Sequence, residues 1–177
     1  MEIRNASCHA LSQLNRWDRP TFVRVLGPVF EHSPWIAERT WTRRPFDSLH
    51  GLHQALCDTV RTSSEQEQLK LIRAHPDLVG RAALVGSLTP SSSKEQASAG
   101  LDRLSSEEIS AFQHLNQAYR QTFGFPFVIC ARLNKKEAIL DGFRARLKHN
   151  RAEEIQTALS EIFKIAELRL RDLVEEA

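Results

Sequence analysis

Apolar residues recur along this chain at three- and four-residue spacing, the period that lays a stripe along one face of an α-helix. Leu49, Leu52, Leu56 and Val60 form one stripe; Ile109, Phe112, Tyr119 and Phe123 form another, with Asn116 standing inside it. A third, Ile155, Leu159, Ile162, Ala166, Leu170 and Leu173, runs almost to the end of the chain. Local signals bound these stripes. Asp18-Arg19-Pro20 supplies a cap and an early proline to a helix through Phe22, Val25, Leu26 and Val29. Ser33-Pro34 starts a short helix through Trp35, Ile36 and Trp41. Ser64-x-x-Glu67 and Ser105-x-x-Glu108 have capping-box spacing, and Asn150 caps the last helix. Gly124, with Pro126 beyond it, stops the helix that ends at Phe123. With no internal repeat and no linker, the pattern predicts one compact all-α domain over residues 1–177, of about eight to nine helices and no sheet.

Two stretches depart from the helical pattern. The connection from Asp77 to Ser91 is long for a compact domain, and such loops are often functional. The run Phe127-Val128-Ile129-Cys130-Ala131 has strand propensity but no partner strand. Its backbone groups need hydrogen-bond partners, which a flat ligand rich in amide and urea groups would supply. Just before the long loop, Ala74-His75-Pro76-Asp77 places a histidine at a helix end, since a proline disfavours helix for the residue before it. Unpaired carbonyls there favour a protonated imidazole, suited to general acid chemistry. A buried core histidine fits the same position. After the loop, Ser92-Ser93-Lys94-Glu95-Gln96 opens another helix, and Ser92-x-x-Glu95 reads equally as a capping box. The three blocks together, around an otherwise unexplained loop, point to a small-molecule site.

Composition narrows the classes. The apolar fraction of 41 % and charged fraction of 26 % suit a globular domain, and 177 residues suffice for one buried core. No window approaches the roughly 18 uninterrupted apolar residues of a membrane span. A formal charge of +2 gives no reason to expect nucleic acid, and Arg39-Thr40-Trp41-Thr42-Arg43-Arg44 reads as a solvated helix end with one aromatic packed inward. Cys8, Cys57 and Cys130 are scattered, as reduced thiols are. The chain ends show neither a secretory signal nor a peroxisomal tripeptide, so a cytoplasmic location is expected. His50-x-x-His53, with Asp47 a turn earlier, lacks a clear third ligand, so no metal is expected. No Gly-x-Gly-x-x-Gly, phosphate loop or Gly-x-Ser-x-Gly elbow is present.

The blocks His75-Pro76-Asp77-Leu78, Ser92-x-x-Glu95-Gln96-x-x-Ala99-Gly100-Leu101, Leu115-Asn116-x-x-Tyr119 and Phe123-Gly124-Phe125-Pro126-Phe127-Val128-Ile129-Cys130 resemble the 2-oxo-4-hydroxy-4-carboxy-5-ureidoimidazoline (OHCU) decarboxylases. Weaker similarity runs from Phe30-Glu31 through Arg44-Pro45-Phe46 to Ala166-Glu167-x-Arg169-Leu170, nearly the whole chain. The resemblance implies an all-helical, cofactor-free carboxy-lyase of urate breakdown, commonly a homodimer, that turns its ureidoimidazoline substrate into (S)-allantoin. It also implies that His75 is the catalytic proton donor, with Glu95 beside it. Substrate contacts would come from Pro76, from Ser92, Ser93, Lys94, Glu95 and Gln96, and from Phe127, Val128, Ile129, Cys130 and Ala131. Neither a nucleic acid nor a membrane partner is implied. A helical interaction module using the C-terminal stripe, and an enzyme for another ureido or hydantoin compound, are the competing readings.

Overall fold

The computed structural model describes residues 8–80, 83 and 85–175. Residues 1–7, 176 and 177, and residues 81, 82 and 84 of the loop after Asp77, lie outside the described residues, and with them the reading of the two chain ends. Nine α-helices are described: α1 (Leu11–Leu14), α2 (Arg19–Leu26), α3 (Trp35–Thr40), α4 (Leu49–Arg61), α5 (Glu65–Ala74), α6 (Pro90–Ser98), α7 (Ser106–Phe123), α8 (Lys136–Arg146) and α9 (Arg151–Leu173). Short 3-10 turns occupy Gly27–Val29, Trp41–Arg43 and Ala131–Leu133. The all-α expectation is met, with one departure from "no sheet". β1 (His9–Ala10) and β2 (Val174–Glu175) pair in parallel, His9 opposite Val174. A two-residue strand is too short for the alternation that marks strands in a sequence.

The chain divides into two compact units, Met1–Leu71 with Phe163–Ala177, and Ile72–Ile162. In the first, Asp18 Oδ1 accepts the Thr21 N–H at 2.9 Å and so starts α2. Pro28 has no N–H for a helical bond, and the chain tightens to a 3-10 turn there. Ser48 caps α4 by accepting the Gly51 N–H at 2.9 Å, and Leu52, Leu56 and Val60 are buried with Phe22, Leu26 and Ile36. A charged pair is buried as well: Arg169 donates to Glu31 at 2.9 Å. The arginine-rich stretch is occupied by the protein's own groups. Arg44 lies 4.2 Å over the Trp41 ring and donates to the carbonyls of Asn15 and Trp17, while Arg39 pairs with Glu67 at 2.5 Å.

In the second unit the capping signals act as the sequence predicts. Ser105 and Glu108 close a reciprocal box, as do Asn150 and Glu153, whose bonds measure 2.9 and 3.0 Å. Gly124 terminates α7 at φ 78°, in the left-handed region glycine tolerates. Around Tyr119 gather Phe123, Phe125, Phe127 and Phe143, with the Phe127 and Phe143 rings stacked 3.8 Å apart. This aromatic core fixes the extended segment that follows Pro126.

Candidate active site

The site is built in the second unit, starting from the end of α5. The helix stops at Ala74, and the His75 N–H bonds back to the Ile72 carbonyl at 3.2 Å, so His75 occupies the last turn, as its place before Pro76 predicts. The imidazole is buried, at 6 % exposure, and Pro76 is half-buried.

The next four residues make a tight turn, with the Gly80 N–H bonded to the Asp77 carbonyl at 3.3 Å. Val79 sits at φ 53°, a left-handed conformation that a β-branched residue holds only when its surroundings impose it. Three side chains do so. Gln96 accepts the Val79 N–H at 3.0 Å and donates to the Asp77 carbonyl at 3.5 Å. Asn116 donates to the Leu78 carbonyl at 2.8 Å. Arg120 donates its Nε to both Asp77 carboxylate oxygens, at 2.9 and 3.0 Å. Gly80 has no room for a side chain, since a Cβ would come within 2.6 Å of Asp77 Cβ. The asparagine in the α7 stripe thus has a structural task. An open cleft of about 610 Å³ lies on this side of α7, lined by Asp77, Gly80, Gln113, Asn116, Gln117, Arg120 and Gln121.

The second block departs from expectation. The helix begins at Pro90, not at Ser92, and its cap is Thr89, whose hydroxyl accepts the Ser92 N–H at 3.2 Å. Thr89-Pro90 is a cap followed by proline in the first helical position, so the signal was in the sequence. The capping-box reading of Ser92-x-x-Glu95 is therefore corrected: Ser92 is already inside the first turn. Helical spacing then turns Ser92, Gln96 and Ala99 inward, with Glu95 half-buried beside them, while Ser93 and Lys94 are exposed on the outer side. Of the five residues expected here, the structure groups Ser92, Glu95 and Gln96 and leaves Ser93 and Lys94 apart from them. The side-chain amide of Gln96 is committed to the Asp77–Gly80 turn.

The third block, 127–131, is irregular extended chain passing into the 3-10 turn Ala131–Leu133, which packs against α6. Phe127, Val128, Cys130 and Ala131 are buried and Ile129 is half-buried. Much of the hydrogen-bonding demand that the sequence assigned to a ligand is met from within. Glu161 accepts the Cys130 N–H at 2.8 Å, Asn134 donates to the Cys130 carbonyl at 2.9 Å, and Arg146 donates to the Val128 carbonyl at 2.7 Å. Burial, then the Glu161 carboxylate and more weakly that of Glu95, push the Cys130 thiol up, so it stays protonated and is no nucleophile. The 3-10 turn that ends this segment packs against α6, which sets α6 beside it. α6 therefore meets both other blocks: Gln96 bonds to the Asp77–Gly80 turn, and the helix packs against the 3-10 turn at the end of the 127–131 segment.

The histidine pair His50–His53 lies in the first unit. His53 Nε2 is 2.9 Å from the Phe163 carbonyl and 3.3 Å from Cys57 Sγ, and His50 and His53 line a cleft with Glu167 and Arg171. Among the described residues, no set of three or more His, Cys, Asp or Glu side chains is arranged to hold a metal ion.

Comparison with known proteins covers the span that contains these blocks. Residues 15–171 match the family model described as OHCU decarboxylase. The chain is 46 % identical over 163 residues to the 2-oxo-4-hydroxy-4-carboxy-5-ureidoimidazoline decarboxylase of Halalkalicoccus jeotgali, covering 92 % of this chain and 90 % of that one. It is 39 % identical to the uric acid degradation bifunctional protein PucL of Bacillus subtilis, covering 94 % of this chain but 33 % of the relative. A crystal structure of (S)-allantoin synthase superposes with a TM-score of 0.77 at 27 % identity, covering 94 % of this chain and 54 % of that one. A match over that span, with the Halalkalicoccus jeotgali relative 46 % identical along 90 % of its own length, makes the chain a member of the OHCU decarboxylase family.

Proposed function

We infer that the protein decarboxylates 2-oxo-4-hydroxy-4-carboxy-5-ureidoimidazoline to (S)-allantoin in urate breakdown. The observation that carries the reading is the convergence of the His75 turn, the inward face of α6 and the 127–131 segment in one unit, within a family-matched chain. In the substrate, the carboxylate is attached to a carbon that bears a hydroxyl and adjoins a C=N bond. When the C–C bond to CO2 breaks, its electron pair moves into the new C=C bond and the C=N pair moves onto nitrogen, which takes up a proton. The substrate is its own electron sink, so the step calls for neither a metal nor an organic cofactor. The resulting enol then returns to a carbonyl by losing its O–H proton and gaining a proton at the ureido-bearing carbon. That last protonation sets the stereocentre.

His75 delivers this proton, from its place in the last turn of α5 before Pro76. Glu95 and Ser92, on the inner side of α6, hold the ureido and ring N–H groups, with Pro76 beneath. Gln96 acts by holding the Asp77–Gly80 turn, and the backbone near Ile129 reads the remaining ring edge. Burial of His75 and of most of the 127–131 segment supports a water-poor site, in which a proton arrives from one fixed side.

The whole chain acts as one catalytic domain on this reading, supported by a family match that spans residues 15–171. It works as a homodimer in a reducing, cytoplasmic setting, which the free thiols of Cys8, Cys57 and Cys130 suit. Among the described residues no helix is long and apolar enough to cross a membrane. The test of function is the disappearance of freshly generated substrate on adding the protein. Acceleration proportional to protein concentration supports the reading, and an unchanged spontaneous rate refutes it. Sedimentation at micromolar concentration checks the dimer.

A further inference from the structure

Glu154 has no exposed surface, yet it is the centre of a cluster of polar groups inside the second unit. It accepts hydrogen bonds from Tyr119 Oη, from Arg146 Nε at 2.6 Å and from His149 Nδ1 at 2.8 Å, and it is ion-paired with Arg146 Nη2. Burying a carboxylate and a guanidinium is costly, and a well-packed apolar pair would often be as stable. The cluster therefore calls for an account beyond stability.

The remaining guanidinium edge suggests one. Arg146 Nη1 donates to the Val128 carbonyl at 2.7 Å, and the guanidinium plane lies 4.2 Å over the Phe127 ring. That ring is stacked on Phe143 and met edge-on by Tyr119. Two residues further, Glu161 accepts the Cys130 N–H. Phe127, Val128 and Cys130 are each anchored, and half-buried Ile129 is suspended between them. We propose that Arg146 is a positioning residue, one that through its bond to the Val128 carbonyl sets the pose of the Ile129 backbone for substrate. The proposal rests on the reading of 127–131 as a substrate-contacting segment.

The planar fork is what makes the arrangement work. One edge grips Glu154 while Nη1, on the far side, reaches a carbonyl, so the carbonyl is referenced to a buried and immobile carboxylate. An ammonium is a single point and does not span both groups in this geometry. Arg146→Lys keeps the charge and should fold. Arg146→Met combined with Glu154→Gln removes the Val128 bond without stranding a charge, and serves if the lysine variant does not fold. Either is expected to raise KM for freshly generated substrate by about tenfold, the scale of one hydrogen bond to a charged group, with kcat changed less. Tyr119→Phe, which removes a partner of Glu154 but none of Val128, should lower Tm and leave KM alone.

Ile129→Gly, made in the segment itself, separates failure of this proposal from failure of the reading beneath it. A raised KM in the Arg146 variants with an unchanged KM in Tyr119→Phe supports the positioning role. If Ile129→Gly raises KM and the Arg146 variants do not, the proposal is wrong and the reading of the segment stands. If none of these changes KM, both fall. An equal rise in Tyr119→Phe would mean general loosening of the core and would also overturn the proposal.

Discussion

Replacing Gln96 by alanine tests whether the turn after His75 is held as the structure shows. Gln96 is 6 % exposed and its Oε1 takes the Val79 N–H at 3.0 Å; the bond from its Nε2 to the Asp77 carbonyl, at 3.5 Å, is at the limit and adds little. Truncation leaves the N–H of Val79, itself 3 % exposed, without its partner. A buried amide stranded in this way costs about 1–3 kcal/mol, and the space vacated by the side chain adds about 1 kcal/mol. Val79 at φ 53° already holds a conformation worth about 1–3 kcal/mol of strain, so the turn has a ready route to relax once released. A loss of about 2–4 kcal/mol, at about 2–4 °C per kcal/mol for a chain of this size, lowers Tm by about 5–15 °C. Because the turn follows His75 directly, relaxation also moves the imidazole. A displacement of ångström scale costs on the order of tenfold to a hundredfold in kcat/KM. Gln96→Glu keeps an acceptor for Val79 and should lose less than half as much stability. The assay is thermal melting by circular dichroism, with kinetics measured well below both midpoints. A Gln96→Ala protein melting within about 2 °C of the parent, with unchanged kcat/KM, would refute the argument.

Other consequences are sharper in single measurements. His75→Asn should leave the melting curve nearly intact and reduce kcat by ~10²–10⁴-fold; a variant keeping more than about half the parent rate removes His75 as the acid. Gly80→Ala drives a Cβ to 2.6 Å from Asp77 Cβ and should destabilise by about 1–3 kcal/mol, read as a lower urea midpoint, whereas an unchanged midpoint would mean the turn is slack. Glu67 is held at about 2, chiefly by the Arg39 guanidinium and then by the Ser64 N–H. A depressed carboxylate contributes stability above its ordinary value near 4.5 and loses it as the pH falls toward 2. Glu67→Gln should therefore flatten the acid limb of the stability curve between those values, and parallel limbs for parent and variant would contradict the assignment.

Much of this architecture is legible because its causes are local. Ser64 with Glu67, Ser105 with Glu108, Asn150 with Glu153 and the left-handed Gly124 act within one helical turn, and the stripe of Leu52, Leu56 and Val60 needs only the helical period. Thr89-Pro90 was equally local, but the serine run after it offered a second cap at plausible spacing. Only the backbone distinguishes the two. The candidate site is legible in its parts, as His75 before Pro76 shows, but its supports are not. Arg146 sits in Arg144-Ala145-Arg146 and resembles a solvated helix end, and Glu154 resembles an ordinary acidic residue in a first helical turn. Nothing in either neighbourhood says that they meet in the interior. The same holds for Glu161 and the Cys130 N–H, 31 positions apart. Period and capping rules carry no information about such pairs, which form only when the tertiary fold brings them together.

Protonation of the decarboxylated intermediate from a single side is the step most directly open to measurement. Substrate should be generated in the cuvette and mixed with the protein in the presence of EDTA, with no metal or cofactor added, and the product followed by circular dichroism. Uncatalysed loss of CO2 in water is open to protonation from either face, and so yields no dichroic signal. A growing signal of (S)-allantoin, at a rate proportional to protein, is expected. Racemic allantoin formed at the spontaneous rate would contradict it, and a reaction abolished by EDTA would move the chemistry toward the His50–His53 cleft.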